Sequence, residues 1–121
     1  MIRLELPYPP SANTYWRSVV INNRVRVLLS SKGREYKLAV QRACAAAGIA
    51  GKRIPHDVAL VVHLHPPDRR RRDVDNALKP LLDALTSAGV WLDDSQVDEL
   101  LLKRMACVRG GSVDMQISVE V

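Results

Sequence analysis

The residues with the clearest capacity for chemistry are acidic and lie close together in the second half of the chain. Residues 68–76 read Asp-Arg-Arg-Arg-Arg-Asp-Val-Asp-Asn, and Lys79 and the pair Asp93-Asp94 follow them. Mg²⁺ prefers hard oxygen ligands, usually one or two carboxylates completed by water and substrate phosphate oxygens. Asp73 and Asp75 could supply such a pair of carboxylates.

The start of the next helix decides whether these two carboxylates can meet. In the middle of a helix, residues two apart point roughly 160° away from each other. At a helix start they can converge, because the cap residue is not yet helical, and the helix N-terminus also favours a bound phosphate. Lys79 follows Asp75 by one turn, so it would lie on the same face and could stabilise charge developing on a phosphate or orient an attacking water.

Each of these features also has a purely structural explanation. Asp73 is a good helix N-cap, and Asp75 with Lys79 is an ordinary i,i+4 ion pair. A run of four arginines, Arg69 to Arg72, is typical of a solvated loop, although it would also lower the pKa of nearby carboxylates and contact DNA phosphates. The combination, crowded around one strand-to-helix junction, favours a metal-dependent site.

The charge of the chain is unevenly distributed. Residues 1–53 carry ten basic and two acidic side chains, whereas residues 54–121 carry eight basic and eleven acidic ones, which gives the net charge of +5. A basic half joined to an aspartate-rich half suits a protein that binds a polyanion and performs metal chemistry on it. A basic surface beside an acidic one, without such a function, fits the charge equally well.

The first part of the chain is predicted to form a strand, a hairpin and a helix. Residues 2–6 alternate between apolar and polar, which indicates a strand. Residues 15–29 resemble an irregular hairpin that turns at Asn22-Asn23. Ser30 or Ser31 should cap a helix that runs to about Ala47, with Gly48 as its stop. The buried stripe of this helix should consist of Tyr36, Val40, Ala43 and Ala47.

The second part is predicted to add three strands and another helix. The helix should begin with Asp73 as its N-cap and end near Gly89, because its apolar residues recur at helical spacing. Strands are expected at 58–65, 97–108 and 113–121, the last two joined as a hairpin by residues 109–112. The fold class is therefore α+β: one small domain, residues 1–121, with a mixed four-stranded sheet, two helices on one face and a basic N-terminal hairpin. The alternating last strand is a candidate edge for a dimer.

Composition excludes several classes of protein. A length of 121 residues with 47% hydrophobic and 26% charged residues is typical of one globular domain rather than a disordered chain. No apolar run reaches the roughly 18 residues of a membrane span, and the N-terminus has no signal-peptide layout, so we expect a cytoplasmic protein. Cys44 and Cys107 lie far apart without a Cys-x-x-Cys motif and are interpreted as core side chains in a reducing compartment.

Further side chains leave alternatives open. His63 and His65 could form a metal pair, but Pro66 ends the strand at once, and a strand-end or DNA-facing role is the other interpretation. Trp91 could stack on a base or anchor a turn, and anchoring is favoured. The aromatic residues near the basic hairpin could grip unpaired bases or anchor a loop on the core. These residues are Tyr8, Tyr15 and Trp16.

Residues 68–98 closely resemble the RusA family of Holliday junction resolvases. The matching pattern is Asp-Arg-Arg-Arg-Arg-Asp-Val-Asp-Asn, then Lys79, then Ala-Gly-Val-Trp-Leu-Asp-Asp-Ser-Gln-Val. Residues 6–13, Leu-Pro-Tyr-Pro-Pro-Ser-Ala-Asn, also resemble the family's proline-rich loop. The resemblance implies a bacterial or phage-encoded homodimer that uses Mg²⁺, or Mn²⁺ in its place, to cut four-way DNA junctions by paired symmetric nicks. It implies no small-molecule cofactor and no membrane partner.

By motif position the resemblance assigns roles to individual residues. Asp73, Asp75 and Asp94 would bind metal and, with Lys79, would be catalytic. The expected DNA-binding residues are Arg69, Arg70, Arg71, Arg72, Arg17, Arg24 and Arg26, of which the last three lie where the resemblance is loosest.

Two questions stay open at this point. The helix is roughly 20 Å long from Asp75 onward, and six residues span at most about 20 Å on the way back, so Asp94 could reach the site of its own subunit or that of a partner. We favour its own subunit. A flap- or fork-specific nuclease and a non-catalytic branched-DNA-binding module are the alternative functions.

Overall fold

The computed structural model describes all 121 residues, and the chain forms a mixed four-stranded sheet with a separate two-stranded hairpin. In chain order the elements are β1 (Ile2–Leu6), α1 (Ala12–Tyr15), β2 (Trp16–Ile21), β3 (Arg24–Leu29), α2 (Ser31–Ala46), β4 (Val58–His65), α3 (Asp75–Ser87), a 3₁₀ turn (Asp94–Gln96), β5 (Val97–Arg104) and β6 (Ser112–Val119). The strand order in the sheet is β1-β6-β4-β5. The predicted α+β class is confirmed.

The core lies between the sheet and the two long helices. Strand β4 alternates between buried and partly buried residues, and its buried side chains start at Val58 and end at Leu64. Leu81 and Leu85 of α3 and Val40 of α2 are almost completely buried with them. Alternation with period two along the strands and a period near 3.6 along the helices thus direct one face of each element inward.

The predicted hairpin between the last two strands is wrong. Strand β5 ends at Arg104, and β4 lies between β5 and β6, parallel to β5 and antiparallel to β6. The segment β4–α3–β5 is a crossover, which a parallel pair requires. Residues 105–111 instead cross the end of β4, where Met105 N donates to the Leu64 carbonyl. Strand β6 is therefore internal, and the edges of the sheet are β1 and β5.

The starts of the two long helices differ from each other. Ser30 caps α2 as predicted, since its Oγ accepts a hydrogen bond from Gly33 N at 3.0 Å. The prediction that Asp73 caps α3 is wrong: the helix begins at Asp75, and Val74 precedes it in a helical backbone conformation without a side-chain cap. The Asp73 side chain is thereby left free for another role.

Two smaller predictions about the core are corrected. Cys44 is buried, but Cys107 is exposed because it lies in the connection after β5 rather than within a strand. Ala47 is exposed, because α2 ends at Ala46 and its inward face continues through Cys44 instead. No helix is long and apolar enough to cross a membrane.

The predicted N-terminal hairpin is confirmed and stands apart from the main sheet. Strands β2 and β3 pair only with each other, and Asn22 and Asn23 connect them with φ values of 51° and 61°. Positive φ at both central residues is the requirement of a two-residue turn whose twist matches the strands, and asparagine tolerates it.

Candidate active site and nucleic-acid interface

Lys79 and Asp94 meet beside the first turns of α3. Asp75 is the first residue of the helix, Lys79 follows one turn later, and Lys79 Nζ lies 3.4 Å from Asp94 Oδ2. Asp94 is itself the first residue of the 3₁₀ turn. One chain alone therefore brings Asp94 next to Lys79, which lies one helical turn after Asp75.

Hydrogen bonds within the loop fix the position of Asp94. Asp93 Oδ2 accepts from Ser95 N at 3.0 Å, and Gln96 Oε1 accepts from Asp93 N at 2.9 Å, which is a capping box. The Gln96 amide also donates to the carbonyls of Ile54 and His56. The turn that presents Asp94 is thus attached to a second segment of the chain.

Trp91 anchors the return from α3 to this turn. Only 1% of its surface is exposed, and its Nε1 donates to Thr86 Oγ1 at 2.7 Å. Such burial confirms the anchoring role and leaves no ring face for a base.

The fit of a metal ion can be tested against the acidic side chains. The structure contains no cluster of three or more Asp, Glu, His or Cys side chains that could enclose a metal ion, so Asp73, Asp75 and Asp94 do not form a ready-made cage. Their donor chemistry nevertheless fits Mg²⁺, which keeps several waters and needs only one or two carboxylates besides substrate phosphates. The residues present therefore fit a metal that completes its coordination with water and phosphate oxygens.

The arginine run folds around Asp68, a residue of the motif without a predicted role of its own. Arg72 Nη1 donates to Asp68 Oδ1 at 2.7 Å, and the backbone N of Arg70 donates to the same oxygen at 2.9 Å. The hydrogen bond from Arg72 is the largest cause that lowers the pKa of Asp68 to about 2. Arg104, at the end of β5, donates to the Arg72 carbonyl at 2.8 Å.

The sequence contains a partial indication of the Asp68 contact and none of the Arg104 contact. Asp68 stands four residues before Arg72, a spacing at which a loop can close on itself, but nothing indicated which arginine it would choose. Arg104 was invisible, because its position beside Arg72 depends on β5 lying next to β4.

A cleft of about 810 Å³ lies between the proline-rich loop and the arginine run. Its walls include Tyr8, Pro9, Pro10, Ser11, Lys32, Arg70, Arg71, Arg72, Asp73 and Asn76. Asp75, Lys79 and Asp94 are not among the lining residues. Of the sequence-predicted acidic residues, Asp73 lines the cleft, Asp94 lies beside Lys79, and Asp75 begins α3 outside the cleft lining.

The three hairpin arginines share one face of the β2–β3 ribbon. Residues directly opposite each other in an antiparallel pair point to the same face, and Arg17 pairs with Leu28, Val19 with Arg26 and Ile21 with Arg24. The opposite face carries no charge, since Ser18 pairs with Val27 and Val20 with Val25. The hairpin therefore has a basic face and an apolar face.

The histidines occupy a strand end rather than a metal site. His65 Nε2 lies 3.2 Å from Asp114 Oδ2, and its Nδ1 lies 3.1 Å from the Ala106 carbonyl oxygen. His63 is directly opposite Asp114 in the β4–β6 pair. The strand-end interpretation is confirmed for His65.

The aromatic residues near the hairpin have different environments. Tyr15 is completely buried, its hydroxyl donates to Asp83 Oδ2 at 2.6 Å, and Trp16 packs edge-on against its ring at 4.4 Å between centroids. Loop anchoring is thus confirmed for Tyr15. Tyr8 differs, because it lines the cleft.

Comparison with known proteins agrees with this arrangement. The family model described as Endodeoxyribonuclease RusA matches residues 7–120. The chain is 40% identical over 116 residues to the "Crossover junction endodeoxyribonuclease RusA" of Shigella sonnei (strain Ss046), which covers 95% of this chain and 92% of the relative. The proteins of that name from Escherichia coli (strain K12) and from Enterobacteria phage 82 match with the same identity and coverage. The resemblance seen in the sequence is therefore confirmed, and this chain belongs to the RusA endodeoxyribonuclease family.

Proposed function

We propose that this chain is a crossover junction endodeoxyribonuclease that hydrolyses phosphodiester bonds at four-way DNA junctions. The observation that carries the proposal is the contact between Lys79 and Asp94 one helical turn after Asp75, the first residue of α3, in a chain of the RusA family. Its relatives come from bacteria and a phage, and we infer that it acts on DNA in the bacterial cytoplasm.

Asp73, Asp75 and Asp94 are proposed to hold Mg²⁺, for which Mn²⁺ could substitute. When bound, the metal would activate a water and stabilise the charge that develops on the phosphate. Lys79 keeps Asp94 in position through its ion pair and, being 64% exposed, can also reach a phosphate oxygen. The roles of these four residues follow from their chemistry and family position.

The basic side chains are proposed to bind the DNA backbone. Arg72 is held by Asp68 at 2.7 Å and is pre-oriented, whereas the Arg70 side chain is 82% exposed and makes only a longer ion pair of 3.7 Å with the same carboxylate. The basic face of the hairpin adds Arg17, Arg24 and Arg26. Contacts of this kind fix the position of the protein on DNA without reading its sequence.

A homodimer is proposed to form through the apolar face of the hairpin. Val20 and Val25 are each 72% exposed and Val27 is 66% exposed, although a two-stranded hairpin open on both faces is only marginally stable in water. The uncharged face cannot attract DNA, while a second copy of the same face would cover it with two-fold symmetry. Such symmetry would match two opposed nicks in a junction.

Sedimentation equilibrium tests the dimer surface with two matched variants. Val20→Lys places a charge on the apolar face and should give monomers that make single rather than paired nicks. Ile21→Lys places the same charge on the basic face and should remain a dimer. A dimeric Val20→Lys protein would show that this face is not the interface.

Substrate comparison tests the function itself. Wild-type protein with Mg²⁺ should place paired symmetric nicks in a synthetic four-way junction and leave a linear duplex intact. Preferential cutting of a flap or fork would favour the alternative nuclease. Junction binding without nicks, in either Mg²⁺ or Mn²⁺, would instead identify a non-catalytic module.

A further inference from the structure

We propose that the cleft between the proline-rich loop and the arginine run binds an unpaired nucleotide, with the Tyr8 ring as the surface on which its base stacks. This inference rests on the proposed function, because the nucleotide would come from the branch point of a DNA junction. It adds a base-binding role to a cleft that shares Asp73 and the arginine run with the proposed active site but does not include Asp75, Lys79 or Asp94.

The position of Tyr8 is fixed from behind by a glycine. A Cβ atom added to Gly111 would lie 2.8 Å from Tyr8 Cβ, closer than real Cβ contacts come, and 3.2 Å from Pro67 Cδ, which is tighter than most. Gly111 also has a φ of +74°, which favours glycine. Tyr8 therefore rests directly on the backbone of the segment before β6, and this support holds its side chain at the cleft wall.

The hydroxyl group of Tyr8 distinguishes it from the other two tyrosines. Tyr15 donates to Asp83 and Tyr36 donates to the Pro7 carbonyl, so both are committed to the fold. Tyr8 is only partly buried, and no partner within the chain accepts from its hydroxyl. A half-buried aromatic ring with an uncommitted polar tip is suited to a ligand that presents both a flat face and polar groups.

The charge around Tyr8 selects an anionic ligand. Four basic and two acidic side chains line the cleft, and Arg71 and Lys32 among the basic ones make no ion pair within the chain. An aromatic platform within a basic groove is the arrangement by which proteins bind single-stranded nucleic acid, since a base stacks on the ring while cations hold the phosphates. A volume of about 810 Å³ is within the range of small-ligand clefts.

The cleft continues to the proposed catalytic residues. Asp73 and Asn76 belong to its wall, and α3, which carries Asp75 and Lys79, begins between them. A nucleotide held at Tyr8 would therefore direct the adjoining phosphate of its strand toward the start of that helix. Binding of the base would place the strand for cutting.

The proposal is tested by removing the Tyr8 ring from the protein and the bases from the DNA junction, separately and together, and comparing the binding affinities. Affinities are measured in EDTA, so that no strand is cut, for a four-way junction with all its bases and for one with abasic sites at the exchange point. For wild-type protein, loss of the bases should weaken binding by roughly ten-fold, the effect of losing one stacked base. For Tyr8→Leu the two junctions should bind equally, and Tyr8→Phe should restore the difference.

The possible results separate this proposal from the proposed function. Equal affinity of wild-type protein for the two junctions would overturn the nucleotide site, even if the protein nicks junctions normally. A difference that persists in Tyr8→Leu would equally overturn it, because a purely structural Tyr8 would weaken both junctions alike. Failure of wild-type protein to nick a junction in Mg²⁺ would count against the proposed function and leave the binding comparison in EDTA valid.

Discussion

Lys79 Nζ lies 3.4 Å from Asp94 Oδ2, although the two residues are 15 positions apart in the chain. The whole of the rest of α3 and the turn at Trp91 separate them, and the chain still returns to the start of the helix. Asp94 thus returns to the start of α3 within its own chain. The return path is shorter than the whole helix, because Asp94 meets Lys79, which lies one turn after the first residue of α3.

Complementation between subunits should confirm that each site is built from one chain. In a heterodimer with Asp75→Asn in one subunit and Asp94→Asn in the other, both sites should be defective and no strand should be nicked. Composite sites shared between subunits would leave one site with both aspartates intact, and one nick per junction would contradict the account. Heterodimers with a single altered subunit provide the control.

Substitution of Lys79 should separate activity from stability. Lys79→Gln removes a cation near the phosphate, and we expect the cutting rate to fall roughly 100-fold, as when one donor to a transition-state charge is lost. The free energy of unfolding should change by less than about 1 kcal/mol, because the pair with Asp94 is largely solvent-exposed. Lys103→Gln, on β5, is a charge-matched control that should cut normally. A Lys79→Gln protein with wild-type activity would contradict the role of the residue.

The Asp68 carboxylate should titrate at an unusually low pH, because Arg72 donates a hydrogen bond to it. The pKa of Asp68 is lowered to about 2 in the folded protein, so the pair is complete above the ordinary aspartate value near 3.9 and is lost as the pH falls toward 2. A carbon NMR titration should show this low midpoint, and Arg72→Gln should raise it toward the ordinary value. An unchanged midpoint in that variant would show that Arg72 is not the cause.

The buried Tyr15 hydroxyl should contribute to stability rather than to DNA binding. Tyr15→Phe removes its hydrogen bond to Asp83, and we expect the free energy of unfolding in urea to fall by about 1.5–3 kcal/mol, the range for hydrogen bonds to charged groups. Tyr8→Phe removes a hydroxyl without a partner and should leave this free energy nearly unchanged. Equal losses in the two variants would contradict the different environments assigned to the two rings.

Local sequence patterns predicted the individual helices, strands and turns better than they predicted which strands lie next to each other. The Asn22-Asn23 turn, the Ser30 cap and the strand at 58–65 depend on short-range chemistry and were correct. The hairpin expected at 109–112 was wrong, because alternation identifies a strand but not its partner, and the crossover through α3 inserts β4 between β5 and β6.

The candidate site shows the same division. The motif singled out Asp75, Lys79 and Asp94 as candidates and Asp68 lies within reach of Arg72 in the same loop, whereas the contact between Arg104 and Arg72 depends on segments that meet only in the folded chain. The Asp73 cap was wrong although its residue type and position favoured it, since α3 begins at Asp75. The Asp73 side chain lies at the cleft wall, where it can bind a ligand. If it capped α3, its carboxylate would already be occupied by the helix backbone.

The most direct test of the account is the response of junction cutting and junction binding to Asp75→Asn. In Mg²⁺ the wild-type protein should nick a synthetic four-way junction, and Asp75→Asn should abolish nicking while affinity is kept or raised, because a negative charge facing phosphates is removed. Asp57→Asn removes an exposed aspartate that lies just before β4 and should cut as the wild type does. Normal cutting by Asp75→Asn would contradict the central claim that the carboxylates at the start of α3 carry the reaction.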